Sequence, residues 1–288
     1  GVGVLPGYLS QVAYDPNNPG VLLISPCAPD DGSPYTGAHL YRSSDGGTSF
    51  SGVTVSGMDP GVAACTAALA YSPLTPGLVL GSDGAGPFAP FNTVLRSSDG
   101  GLSFTRTAAG PANATLPASY RFLGPAPGEV LVGNARGAML RSTDGGLSFS
   151  TAPTPTLPGP SAPLESQWIA SKPGDPSIRY FVSRGAGFYR SSDGGASWSQ
   201  QNTGIGAANI RALAVNPSHP ALIYAGQAES EGTAITWPFF RSSDGGASWA
   251  QTGSGFRADW LRTLLVDSNT SANPGSTVIY GGGRDIAP

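Results

Sequence analysis

The sequence predicts an all-β chain of four-stranded antiparallel blades, a β-propeller of about six blades with the last incomplete. Three observations carry that expectation. A ten-residue box recurs five times: YRSSDGGTSF at 41–50, LRSSDGGLSF at 95–104, LRSTDGGLSF at 140–149, YRSSDGGASW at 189–198 and FRSSDGGASW at 240–249. Its aspartates, Asp45, Asp99, Asp144, Asp193 and Asp244, follow one another at about fifty residues, the length of one blade. Short apolar runs alternate with breaks, and 42 glycines and 27 prolines supply the punctuation of many short strands.

Taken in order, the first unit (8–53) reads as strand A "LSQVAY", turn "DPNNP" and strand B "VLLIS". The second (62–107) repeats this as "AALAY", "SPLTP" and "LVLGS". The third and fourth units span 119–153 and 165–202. The fifth (209–252) is the most regular: "IRALAV", "NPSHP" and "ALIYAG", then strand C "PFFRSS", turn "DGG" and strand D "ASWAQ". A half unit follows at 261–283, "LRTLLV" and "STVIYGGG", with no sixth box. The units form a single domain over 1–288. Either residues 1–6 help to close the last blade or this is part of a longer propeller.

The box has the chemistry of a turn between strands C and D. A short carboxylate there accepts backbone N–H bonds, and the flanking hydroxyls add local bonds. The glycines permit the positive φ of a tight hairpin. The closing Phe50, Phe104, Phe149, Trp198 or Trp249 suits a wedge between neighbouring sheets.

The pattern S-x-D-x-G-x-[ST]-[FW] is met at every defined position of all five copies, for example Ser43, Asp45, Gly47, Ser49 and Phe50. In this the chain resembles the Asp-box, or BNR-repeat, β-propellers. These include sialidases, xyloglucanase-like glycoside hydrolases, sortilin-type receptor domains and photosystem II assembly factors. The resemblance implies that the boxes are structural turns on the rim, remote from the ligand face. It implies little about activity, because enzymes and non-enzymes share the box.

Composition narrows the partners. Net charge is −3 and Lys172 is the sole lysine, so no basic stripe for nucleic acid is visible. No apolar run has the length of a membrane span. The chain opens at Gly1 without a signal peptide and reads as a mature form or an excerpt. Cys27 and Cys65 are the only cysteines, too few for a disulfide scaffold or a zinc site. They are either two buried thiols or one disulfide.

Topology sorts the loops. A–B and C–D turns share one face of an up-and-down blade; B–C loops and D–A links share the other. The long, irregular segments fall on the second face, which is where binding is expected. Cys27 and Cys65 both fall there, on adjacent blades; a disulfide between them would stabilise by roughly 4 kcal/mol and imply an exported, extracellular or periplasmic protein. Arg121, Arg211 and Arg262 are read as opening strands A, and Arg257, Asp259, Trp260 and Trp168 are read as near them on the same face. Arginines beside aromatic platforms suit an anionic or sugar ligand. The same arginines also suit pairing with Glu165, Asp259 and Asp285 to order the loops.

Catalytic patterns are not met. The sialidase resemblance would require an Arg-Ile-Pro motif and a tyrosine–glutamate pair, and Glu129, Glu165, Glu229 and Glu231 lack the context. Asp30, Asp31, Asp83, Glu229 and Asp259 are candidates for a glycosidase carboxylate pair, whose separation the sequence does not set. His39 and His219 are too far apart to share a metal, and "APDDGS" lacks the periodic ligands of a calcium loop. Asn113 and Asn269 open formal glycosylation motifs. No cofactor or metal is expected. The reading is an exported binding or scaffold module for a protein or glycan; the alternative is a glycoside hydrolase using acids of the same face.

Overall fold

The computed structural model describes residues 8–27, 38, 40–57, 68–82, 93–108, 117–121, 127–134, 139–153, 166–183, 186–205, 210–227, 239–252, 260–267 and 269–284, and each repeat in it forms one sheet. The first sheet runs β1 (Tyr8–Asp15), β2 (Asn18–Cys27), β3 (Tyr41–Ser43) and β4 (Ser51–Gly52). The second comprises β5 (Thr54–Ser56), β6 (Leu69–Tyr71), β7 (Val79–Ser82), β8 (Thr93–Ser97) and β9 (Ser103–Ala108). The third runs β10 (Pro117–Arg121), β11 (Val130–Asn134), β12 (Met139–Ser142) and β13 (Ser150–Ala152). The fourth runs β14 (Ser166–Lys172), β15 (Asp175–Ser183), β16 (Gly187–Ser191) and β17 (Ser199–Gln200). The fifth runs β18 (Ile210–Val215), β19 (Ile223–Gln227), β20 (Phe239–Ser242) and β21 (Ala250–Gln251). A sixth sheet has two strands, β22 (Trp260–Val266) and β23 (Ile279–Arg284). This is the blade arrangement of a β-propeller, with five full blades and two strands of a sixth among the described residues.

The chain divides into two compact units, Gly1–Asn134 with Leu140–Thr151, and Ala135–Met139 with Ala152–Pro288. Within the first, β6 lies beside both β1 and β10; within the second, β18 lies beside both β14 and β22. Within each unit, first strands of successive blades therefore adjoin, and apolar clusters fill the spaces between them. Ala13, Leu23, Tyr71, Val79 and Phe104 join blades one and two; Leu78, Leu80, Val130 and Val132 join two and three. In the second unit Tyr180, Phe188, Leu213, Ile223 and Trp249 join blades four and five, and Tyr224, Leu264 and Val266 join five and six. Both faces of blades two and five are covered in this way, so their strands read as near-continuous apolar runs.

Three of the box aromatics are wedges. Phe104 is fully buried in the first cluster, Phe149 packs against the second, and Trp249 meets Phe188 edge-on at 4.8 Å between centroids. Burying one such ring contributes about 1.5–3 kcal/mol. Two box arginines bind the next blade. Arg42 Nε donates to the Gly100 carbonyl at 2.9 Å and Arg96 Nε to the Gly145 carbonyl at 3.0 Å. In blade three, Arg141 instead pairs with the buried Glu129 of its own blade at 2.9 Å.

One sheet departs from the expected four strands. After β4 the chain continues into β5, which pairs in parallel with β9 and becomes the outer strand of the next blade. The reason lies in length. β9 has six residues, whereas β4, β13, β17 and β21 have two or three and offer little edge for another chain to pair with.

Candidate functional site

The box aspartates are held by the turn itself. In blade three, Ser142 Oγ donates to Asp144 Oδ1 at 2.7 Å and accepts the Gly146 N–H at 2.9 Å. Asp144 Oδ1 accepts the Leu147 and Ser148 N–H groups, both at 3.0 Å, and Oδ2 accepts Ser148 Oγ–H at 2.5 Å. The other four boxes repeat the Ser–Asp–Gly–Ser connections. These bonds lower the carboxylate pKa: the Ser148 hydroxyl first for Asp144, Ser197 for Asp193 and Ser248 for Asp244, each to about 2. Asp45 is lowered too, by Ser49 above all. Burial works the other way on Asp99, but bonds from Ser103 and Ser97 together prevail and lower it. A carboxylate this well satisfied is a turn brace with little capacity left for a ligand.

The first box glycine ties this turn to the A–B turn of its own blade: Gly46 to Gly20, Gly100 to Gly77, Gly145 to Gly128, Gly194 to Ser177 and Gly245 to Ala221, at 2.8–3.0 Å. The two turn sets thus share one end of the blades, as the topology predicted. The A–B turns are capped by their own first residues: Asp15, Ser72, Asn216 and Asp267 each accept an N–H two or three residues on. His219 belongs to this end, where its Nδ1 donates to the Ser271 carbonyl at 3.0 Å. Every carboxylate among the described residues lies at this box end.

The opposite end carries a second repeated feature, one that the sequence pattern did not reveal. Nearly every strand A enters its blade through a β-bulge. The register breaks between Leu9 and Gln11, Pro117 and Ser119, Ser166 and Trp168, Ile210 and Ala212, and Leu261 and Thr263. The extra residues are Ser10, Ala118, Gln167, Arg211 and Arg262. A bulge re-aims a strand and the residue it carries. In the second unit the three bulged positions, Gln167, Arg211 and Arg262, belong to adjoining strands of blades four, five and six.

Some of the predicted residues belong to these strands. Arg211 and Arg262 occupy equivalent places in their ladders. Trp260 opens β22, opposite Arg284 in register. Trp168 follows Gln167 on β14 and is half-buried, packed against the cluster between blades four and five rather than standing free. Gln227, which faces Ile210 across the ladder, is buried. Arg121 does not hold the equivalent place in blade three. The bulge at Ala118 shows that its strand starts at Pro117, so Arg121 closes β10 and corresponds to Ala214 of blade five. Cys27 closes β2 at the loop end. Cys65, Arg257 and Asp259 lie outside the described residues, as do Asp30, Asp31, Asp83, Glu165, Glu229 and Glu231.

No family model and no curated protein matches the chain. Among solved structures it is similar to an ancestral GH74 enzyme, with a TM-score of 0.71 and 18% identity, over 97% of this chain and 35% of that one. It is similar to the GH74 enzyme of Niastella koreensis, with a TM-score of 0.66 and 19% identity, over 89% of this chain and 42% of that one. A GH74 xyloglucanase from Xanthomonas campestris gives 0.51 and 14%, over 92% and 50%. The chain thus spans half or less of the length of these enzymes. At such identities the likeness is one of fold.

Proposed function

We propose that this is an exported Asp-box propeller that binds a protein or glycan at the loop end of its second unit, without turning it over. The observation that carries the reading is the row of bulged strand entries in the second unit. Gln167, Arg211 and Arg262 hold the extra position on the adjoining strands β14, β18 and β22, and Trp168 and Trp260 belong to the same strands. Residues of guanidinium, amide and indole type suit a ligand rich in oxygen acceptors, such as a sugar chain or a carboxylate-bearing segment. Export belongs to the same proposal and rests on a disulfide between Cys27 and Cys65, one of the two states open to these cysteines.

A second reading is a glycoside hydrolase, favoured by the fold similarity to GH74 enzymes. A glycan array that includes xyloglucan oligosaccharides, run beside a panel of glycosidase substrates, separates the two. The expected result is binding without turnover, weakened roughly tenfold or more by Arg211→Ala or Arg262→Ala through loss of charge-assisted bonds, and unmoved by Asp144→Asn. Turnover that disappears in Asp31→Ala or Asp259→Ala establishes the hydrolase instead.

A further inference from the structure

The box sets an aspartate directly before a glycine five times: Asp45–Gly46, Asp99–Gly100, Asp144–Gly145, Asp193–Gly194 and Asp244–Gly245. An aspartate so placed is open to attack by its own backbone, because glycine has no side chain to shield the following nitrogen. The glycine nitrogen adds to the aspartate Cγ. The N–H proton and the hydroxyl of the carboxylic acid leave as water, and a five-membered succinimide forms. Water then adds at the aspartate main-chain carbonyl and the C–N bond there breaks. The main chain now runs through Cβ and Cγ, which is isoaspartate, of unchanged mass. No oxidant or other co-reactant is consumed.

Every group that this step removes is tied down in the folded turn. The first-glycine N–H is donated to a carbonyl of the A–B turn at 2.8–3.0 Å in all five blades. Either carboxyl oxygen could leave, and both are bound. In each box Oδ1 accepts from the serine two residues before, and Oδ2 from the serine four residues after. Asp144 Oδ1 also accepts the Leu147 and Ser148 N–H groups. Ring closure therefore forfeits the tie between the two turns and at least one carboxylate bond together. The turn also keeps the carboxyl ionised, Asp144 at about 2 through the Ser148 hydroxyl above all, whereas water leaves from the acid form.

We propose that the five Asp–Gly bonds of the boxes are latent modification sites, silent in the folded turn and converted to isoaspartate when their blade opens. The product lengthens the main chain by one atom between strands C and D and moves the carboxylate from Cβ to Cα. Ser142 and Ser148, or their counterparts, then no longer find it where they hold it now. A modified box does not re-form, so an opening that lasts long enough becomes irreversible.

The test is peptide mapping of the full chain after incubation at neutral pH, folded and in urea, with an isoaspartyl methyltransferase to tag the product. The expected result in urea is isoaspartate at all five boxes. In the folded chain it forms roughly tenfold or more slowly, because it follows the small open population. Ser148→Ala releases Asp144 Oδ2 and raises isoaspartate at Asp144 of the folded protein about threefold or more, with the other four boxes unmoved. Ser148→Thr keeps the hydroxyl and the protection. Equal rates in the folded chain and in urea, no isoaspartate in urea, or a folded Ser148→Ala protein that spares Asp144 or reacts at all five boxes alike overturns the proposal. Ser148 is exposed, so its variants leave the core intact. Should Ser148→Ala fail to fold, the comparison of the unaltered chain with and without urea decides alone.

Discussion

At the scale of the residue, the box assigns its aspartate and serine unequal parts. All five leading serines, Ser43, Ser97, Ser142, Ser191 and Ser242, are 1% exposed. Each accepts the N–H of the second glycine, buried in four of the five boxes, and orients the aspartate with its own proton. The aspartate reaches outward to amides that water can also serve. Ser142→Ala thus strands a buried donor and is expected to cost about 1–3 kcal/mol, whereas Asp144→Ala should cost about 1 kcal/mol. Urea unfolding of the two variants measures the difference; an aspartate variant clearly the worse of the two would show that the carboxylate, not the hydroxyl, is the keystone. The sequence made the aspartate legible as a turn brace because its spacing to the glycines is fixed. It did not make the serine's rank legible, since burial depends on the neighbouring blade.

At the scale of the element, the two box glycines answer to different constraints. Gly245 has φ +74° and nothing within 4 Å of where a Cβ would stand. Gly246 has φ +91°, and a Cβ there would stand 2.6 Å from Phe188 of the preceding blade. Gly101 against Leu23 and Gly146 against Leu80, both at 2.7 Å, repeat the second case. Gly245→Ala should therefore lose only the left-handed backbone term, about 1–2 kcal/mol. Gly246→Ala should lose that and disturb the packing between blades, and thermal melting should rank it clearly lower. Equal losses would mean that the Phe188 ring moves aside freely. The strands, turns and wedges were legible because each is a local pattern repeated in five contexts. The bulges at the strand entries were not, because an extra residue in a ladder shows only against its partner strand. Arg121 was misplaced for that reason: it reads as opening strand A, and the ladder opens that strand at Pro117 and ends it at Arg121.

At the scale of the whole molecule, the grouping of the box turns and the A–B turns at one end of the blades was legible and the ligand was not. Short, regular turns declare one end structural. The residues that would name a ligand belong to the segments that do not repeat, where no periodicity assigns a conformation. The structural end nevertheless makes a prediction about the entire chain, because its carboxylates titrate together. Asp144, Asp193 and Asp244 are held at about 2, and Asp45 and Asp99 are lowered as well. Unfolded aspartates titrate near 3.9. Depressed carboxylates contribute stability that is fully present above the unfolded value and is lost as pH falls through the folded one. Unfolding in that window takes up protons from several blades at once, so the melting temperature should stay level down to about pH 4 and fall steeply toward about 2. The main lowering cause is hydrogen bonding within the turn rather than attraction to a distant charge, so high salt should leave the fall in place. Asp144→Asn removes one titrating group and should make the descent shallower while lowering the plateau. Melting curves from neutral to acidic pH, at low and high salt, test this; a plateau that continues unbroken through pH 2–3 would show that the boxes do not carry the fold.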